Sequence, residues 1–135
     1  MKLEGIETNM YQMAKEMNSF AYAPYSHFPV SAVILTEQGT LYAGCNVENA
    51  SFGLTICAER NAVFKAVSEN KSLKIVKVLI YTPTEKPATP CGACRQVLNE
   101  FAEEAEVLCC TDDTVQRYSL GQLLPAAFGP NNLEV

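Results

Sequence analysis

Histidine is almost missing from this 135-residue chain, with His27 the single one. A closed metal site needing a fourth protein ligand therefore has few places to find it. Basic residues are also in short supply, 10 against 15 acidic, for a formal charge of −5. That balance argues against a protein whose main task is gripping phosphate backbones, which calls for a basic face. A small neutral or nucleoside-sized ligand stays open. No apolar run reaches the roughly 18 residues of a membrane span. The first ten residues mix Lys2, Glu4 and Glu7 among short hydrophobes, so no signal core is expected and a cytoplasmic location follows. In that reducing setting the six cysteines are expected as thiols, metal ligands or nucleophiles rather than disulfides. Repeats, low-complexity tracts and long linkers are missing too. What is present, 48% hydrophobic and 19% charged residues, supports a real core. The expectation is one domain over 1–135, burying roughly two thirds of its unfolded surface.

Ile6, Met10, Met13, Ala14 and Met17 recur at helical spacing and predict a first helix over 6–18, its methionines serving as core fillers. Residues 22–26, with Pro24, break it. Segments 30–36 and 40–46 read as strands joined around Gln38-Gly39, a hairpin signal. Segment 57–68 carries Ala58, Ala62, Val63, Ala66 and Val67 on a small-residue helical face. The nearly continuous, β-branched run 75–81 predicts a strand covered on both faces. Pro83, Pro87 and Pro90 mark the following loop, and 91–101 a further helix. Segment 107–110 predicts a buried strand, 115–119 an edge strand and 120–124 a short helix. The order αββαβαβ(β)α implies an α/β layered domain on a mixed sheet covered by helices.

Chemistry concentrates in Cys57-Ala58-Glu59-Arg60 and Pro90-Cys91-Gly92-Ala93-Cys94-Arg95. Cys91 and Cys94, three apart on a helix, share a face and can pinch one ion. Pro90 suits a helix entry, where a missing N–H costs nothing. Cys57 and Glu59, two apart, would point to nearly opposite sides of a helix interior. Convergence requires Cys57 to sit at the helix start. Three thiols bind one divalent metal and leave a fourth position for water, which a nearby carboxylate can relieve of protons. Helix N-termini would offset the charge of three thiolates. Arg60 and Arg95 could do so by hydrogen bonds to sulfur, or could remain solvated surface charges. Other readings compete. A lone C-x-x-C can be a thiol–disulfide pair, although a third cysteine beside a glutamate 34 residues earlier fits that poorly. A closed structural site would need His27, or Cys45, Cys109 or Cys110, which lie in expected strands as small apolar residues.

These segments resemble the short, homotetrameric cytidine deaminases, in a three-cysteine variant of the zinc-deaminase signature. The likeness extends over Tyr22-Ala23-Pro24-Tyr25-Ser26-His27-Phe28, Gly44-Cys45-Asn46-Val47-Glu48-Asn49-Ala50-Ser51 and Leu123-Leu124-Pro125-Ala126-Ala127-Phe128. It implies a three-layer deaminase fold and one Zn²⁺ per subunit on Cys57, Cys91 and Cys94, with Glu59 shuttling protons. Asn46 and Glu48 would bond the ribose hydroxyls, Phe28 would pack beside the base, and Ala58 would contact substrate. Arg60 would support the metal ligands. Phe128 would be the aromatic a neighbouring subunit contributes, giving a homotetramer with shared pockets. A nucleoside substrate is implied, with neither nucleic acid nor membrane as partner. The implied reaction is hydrolytic deamination of cytidine and 2′-deoxycytidine in pyrimidine salvage. A deaminase of another base or of nucleic acid, and a non-enzymatic zinc domain, are the competing readings. Ser31 stands where the family often has glycine, for which altered packing is expected. Little chain beyond the Phe128 segment favours the compact tetrameric form.

Overall fold

The computed structural model describes residues 1–133. Five strands form one mixed sheet in the order β2-β1-β3-β4-β5: β1 Ser31–Thr36, β2 Leu41–Cys45, β3 Ile75–Tyr81, β4 Glu106–Cys110 and β5 Val115–Ser119. Helices α1 Ile6–Asn18, α2 Ala58–Val67, α3 Gly92–Phe101 and α4 Leu120–Leu123 complete the regular elements, with short 3₁₀ turns at Phe52–Leu54 and Pro130–Asn132. β1 runs antiparallel to β2 and β3, β4 runs antiparallel to β5, and β3 and β4 are parallel, joined through α3. This is the α/β mixed-sheet arrangement expected from the residue pattern.

Strand alternation divides the core into two layers. Val33, Leu79, Tyr81, Leu108 and Cys110 face one way, against Met10 and Ala14 of α1. Ala32, Ile34, Val78, Ile80, Val107 and Cys109 face the other, against Ala58, Ala62, Val63 and Ala66 of α2 and Leu98 of α3. β3 is buried on both faces toward its C-terminal end, while Val76 near its start is exposed. Small residues on α2 permit close approach, and Gly44 of β2 completes the fit. A Cβ there would lie 2.5 Å from the Ala62 backbone N and 2.8 Å from the Ala58 carbonyl oxygen. The N-terminus of α2 is therefore set by a backbone-to-backbone contact that only glycine permits.

Ser31, at a position the resemblance associates with glycine, is fully buried and donates to the Ala14 carbonyl at 2.5 Å. Its hydroxyl ties β1 to α1. A second tie is ionic. Glu7 of α1 is buried and accepts from Lys77 of β3 at 2.6 Å and from Arg117 of β5 at 2.6 Å. The Arg117 and Lys77 hydrogen bonds hold its carboxyl far below the usual carboxylate range, against the opposing effect of burial. No helix among the described residues is long and apolar enough to cross a membrane.

Candidate active site

Cys57 is the N-cap of α2 and Cys91 the N-cap of α3. The condition for bringing Cys57 and Glu59 together is thus met, since both belong to the first turn, where side chains lean past the helix end. Cys94 follows one turn into α3. The three Sγ atoms lie within 4.8 Å of one another, and Cys57 and Cys91 are 3.9 Å apart. A tetrahedral ion with Zn–S bonds of ~2.3 Å requires sulfur separations of ~3.8 Å. The donor set fits zinc in both chemistry and spacing. His27, Cys45, Cys109 and Cys110 stand outside this cluster, so no fourth protein ligand among the described residues closes it.

Thiol chemistry supports charge on this triangle. The Cys57 thiol falls well below its usual range, held by a hydrogen bond with Cys94 and by the Arg60 guanidinium at 3.4 Å, while Cys94 is pushed up in return. The Arg60 Nε is buried without a partner. Arg95 takes the other course. Its guanidinium donates to the Pro90 carbonyl at 2.7 Å, the Leu123 carbonyl at 2.8 Å and Thr89 Oγ1 at 3.1 Å, tying α3, α4 and the preceding loop together. All three are oxygen acceptors. Pro90 likewise precedes the N-cap instead of occupying the first helical position, and its carbonyl serves as an anchor for Arg95.

Cys57, Ala58, Glu59 and Cys91 line a cavity of about 190 Å³, together with Phe28, Val30, Asn46, Thr55, Ile80, Ala88 and Thr89. It opens beside the loop leaving the carboxyl end of β3, where ligand crevices of α/β sheets form. Thr55 is shared with an outer groove of about 350 Å³ lined by Tyr25, Ser26, Glu48 and Phe52. Glu59 is only 4% exposed, and burial pushes its carboxyl up to about 7. Asn46 is nearly buried, accepting from Val30 N at 3.0 Å and donating to the Phe28 carbonyl at 2.8 Å. It thereby fixes the segment that carries Phe28 into β1. Phe128 lies elsewhere, 57% exposed, its carbonyl held by Gln96 and Asn99 of α3. Within one chain it does not reach the cavity. Five wall residues lie outside the set expected from the sequence: Val30, Ile80 and Ala88 read there only as strand or loop residues, and Thr55 and Thr89 are loop threonines, which carry no signal of their own.

An open triangle of thiols beside a buried carboxylate defines a zinc-dependent hydrolytic site. The profile of the cytidine and deoxycytidylate deaminase zinc-binding region matches residues 5–111. A cytidine deaminase of Sporosarcina psychrophila is 44% identical over 123 residues, 89% of each chain. Among solved structures, a Burkholderia pseudomallei cytidine deaminase superposes with a TM-score of 0.84 at 41% identity, covering 90% of this chain and 98% of that one. A Mycobacterium tuberculosis cytidine deaminase gives 0.79 at 36% identity, covering 93% and 99%. The chain belongs to the zinc-binding cytidine and deoxycytidylate deaminase family.

Proposed function

We propose that this protein hydrolytically deaminates cytidine and 2′-deoxycytidine to the corresponding uridines, releasing ammonia, in pyrimidine salvage. The observation that carries the reading is a cavity walled by Phe28 and Asn46 in which Glu59 meets Cys57 and Cys91, two corners of the sulfur triangle that Cys94 completes behind the wall. Cys57, Cys91 and Cys94 would hold zinc, which when bound supplies the Lewis acidity that brings water near a pKa of ~7. Glu59 accepts the proton of the attacking water and returns protons to N3 and to the departing amino group. Burial favours that role, because a carboxyl titrating near neutrality can both take and give a proton. Phe28 packs beside the base. Ala58, the first residue of α2, lines the cavity. Arg60 steadies the Cys57 sulfur.

Glu48 in the adjoining groove would receive the sugar, with Asn46 between sugar and base. Phe128, exposed at the surface, would complete a neighbour's pocket in a homotetramer. Unpaired cysteines throughout the described residues suit the cytoplasm. Loss of cytidine absorbance on adding the purified zinc-loaded protein tests the reading, and a chelator should abolish it. Turnover of an oligonucleotide or blasticidin S in place of cytidine would move the substrate assignment. Sizing the same sample tests the assembly.

A further inference from the structure

Between the cavity and the outer groove runs the turn 25–28, and one side chain organises it. Ser26 Oγ donates to Glu48 Oε2 and accepts from the backbone N–H of Phe28 at 3.0 Å. Glu48 Oε1 accepts from the backbone N–H groups of Tyr25 at 2.9 Å and Ser26 at 3.2 Å. His27, between them, is held with a left-handed φ of 56° and donates its N–H to the Ala23 carbonyl at 3.0 Å. A non-glycine residue keeps that conformation only where its surroundings impose it. One hydroxyl thus links the carboxylate of the outer groove to the backbone of the aromatic that walls the inner cavity.

We propose that Ser26 is a positioning residue for the nucleoside, setting Glu48 and Phe28 at once and so fixing the sugar relative to the base. This rests on the deaminase reading above. An ionised carboxylate offers about four lone-pair positions. Three are taken by Tyr25 N, Ser26 N and Ser26 Oγ, which leaves one on Oε2 of a side chain that lines the groove. Glu48 is therefore a one-hydroxyl acceptor, aimed by Ser26. These same hydrogen bonds, that of Ser26 first, keep its carboxyl below the usual range and hence charged. Without the Ser26 hydroxyl, Glu48 loses its aim and the Phe28 N–H loses its acceptor. The damage should fall on nucleoside binding and leave the zinc and Glu59 chemistry intact.

The test compares Ser26→Ala and Ser26→Thr with the parent protein, using cytidine turnover, equilibrium binding of uridine, zinc content and thermal midpoint. Ser26→Ala should raise KM for cytidine and Kd for uridine by about tenfold, the scale of one charge-assisted hydrogen bond. Its kcat should stay within about twofold, with zinc content and midpoint unchanged. Ser26→Thr, which keeps the hydroxyl, should restore most of the loss. A Ser26→Ala protein with parental KM and Kd overturns the proposal, as does one that loses kcat at constant KM or is not rescued by threonine. Cytidine turnover by the parent tests the deaminase reading separately. A parent that turns over cytidine while Ser26→Ala is silent sinks only the Ser26 role, whereas a parent binding no nucleoside sinks both.

Discussion

Glu59 and Arg60 are sequence neighbours with opposite duties. Glu59 turns into the cavity and is buried, while Arg60 reaches back to the Cys57 sulfur at 3.4 Å. On the mechanism proposed above, Glu59→Gln keeps the shape and removes the proton carrier, so kcat should drop by about 10²–10⁴-fold with zinc content unchanged. Turnover alongside metal analysis checks this, and full activity would remove Glu59 from its role. Arg60→Ala should act on the metal instead, through the Cys57 sulfur. Outer partners of metal ligands are typically worth about 10–100-fold in affinity, so chelator competition should show zinc leaving that much more readily. The thiol cluster was legible because Cys91 and Cys94 stand at helical spacing and Cys57 lies in a second short segment of the same kind, beside Glu59. Arg95 was not, since its acceptors on Pro90, Thr89 and Leu123 are set by how α4 docks. Nor was the Ser26 bond to Glu48, which joins residues 22 apart in sequence.

At the scale of elements, the site depends on where α2 begins. The helical pattern 57–68 shows the helix but not that Cys57 caps it, because capping is a matter of one residue's backbone angles. What holds α2 there is the glycine contact with β2. Gly44→Ala should force the strand and helix apart, costing about 1–3 kcal/mol by overpacking. Zinc affinity should fall along with the denaturant midpoint, since Cys57 moves with α2. A variant with parental stability and metal binding would show that the contact relaxes freely. Strand order within the sheet was only partly readable. Alternation and turn signals indicated strands and a hairpin, whereas the parallel pairing of β3 with β4 comes from the α3 crossover.

Across the whole molecule, Glu7 is the charge on which α1 is fastened to the sheet. It bridges to Arg117, 110 residues away, a pairing for which no local pattern exists. Its pKa is depressed in the folded state, so its contribution is present above the unfolded value of ~4.3 and lost as pH falls below that. Melting temperatures should therefore decline from pH 6 to pH 3 in the parent. Glu7→Gln should flatten that acid limb and lower stability at pH 7 by about 1–3 kcal/mol. The partial exposure of Lys77 and Arg117 keeps the figure below that of a wholly buried pair. A parallel acid limb in both proteins would assign the pH dependence to other groups.

Cys57 and Cys91 also bracket the central strand of the sheet. They are 34 residues apart, and the chain between them contains all of α2 and β3. An ion held by both is a removable cross-link around that loop. On the chain-entropy scale, closing a loop of this size is worth ~3–4 kcal/mol against the unfolded chain. Stripping zinc should accordingly lower the melting temperature by many degrees even in Glu59→Gln, where no reaction is at stake. In that sense the ion is a rivet, and the supply of zinc would govern how long the protein survives as well as how fast it works.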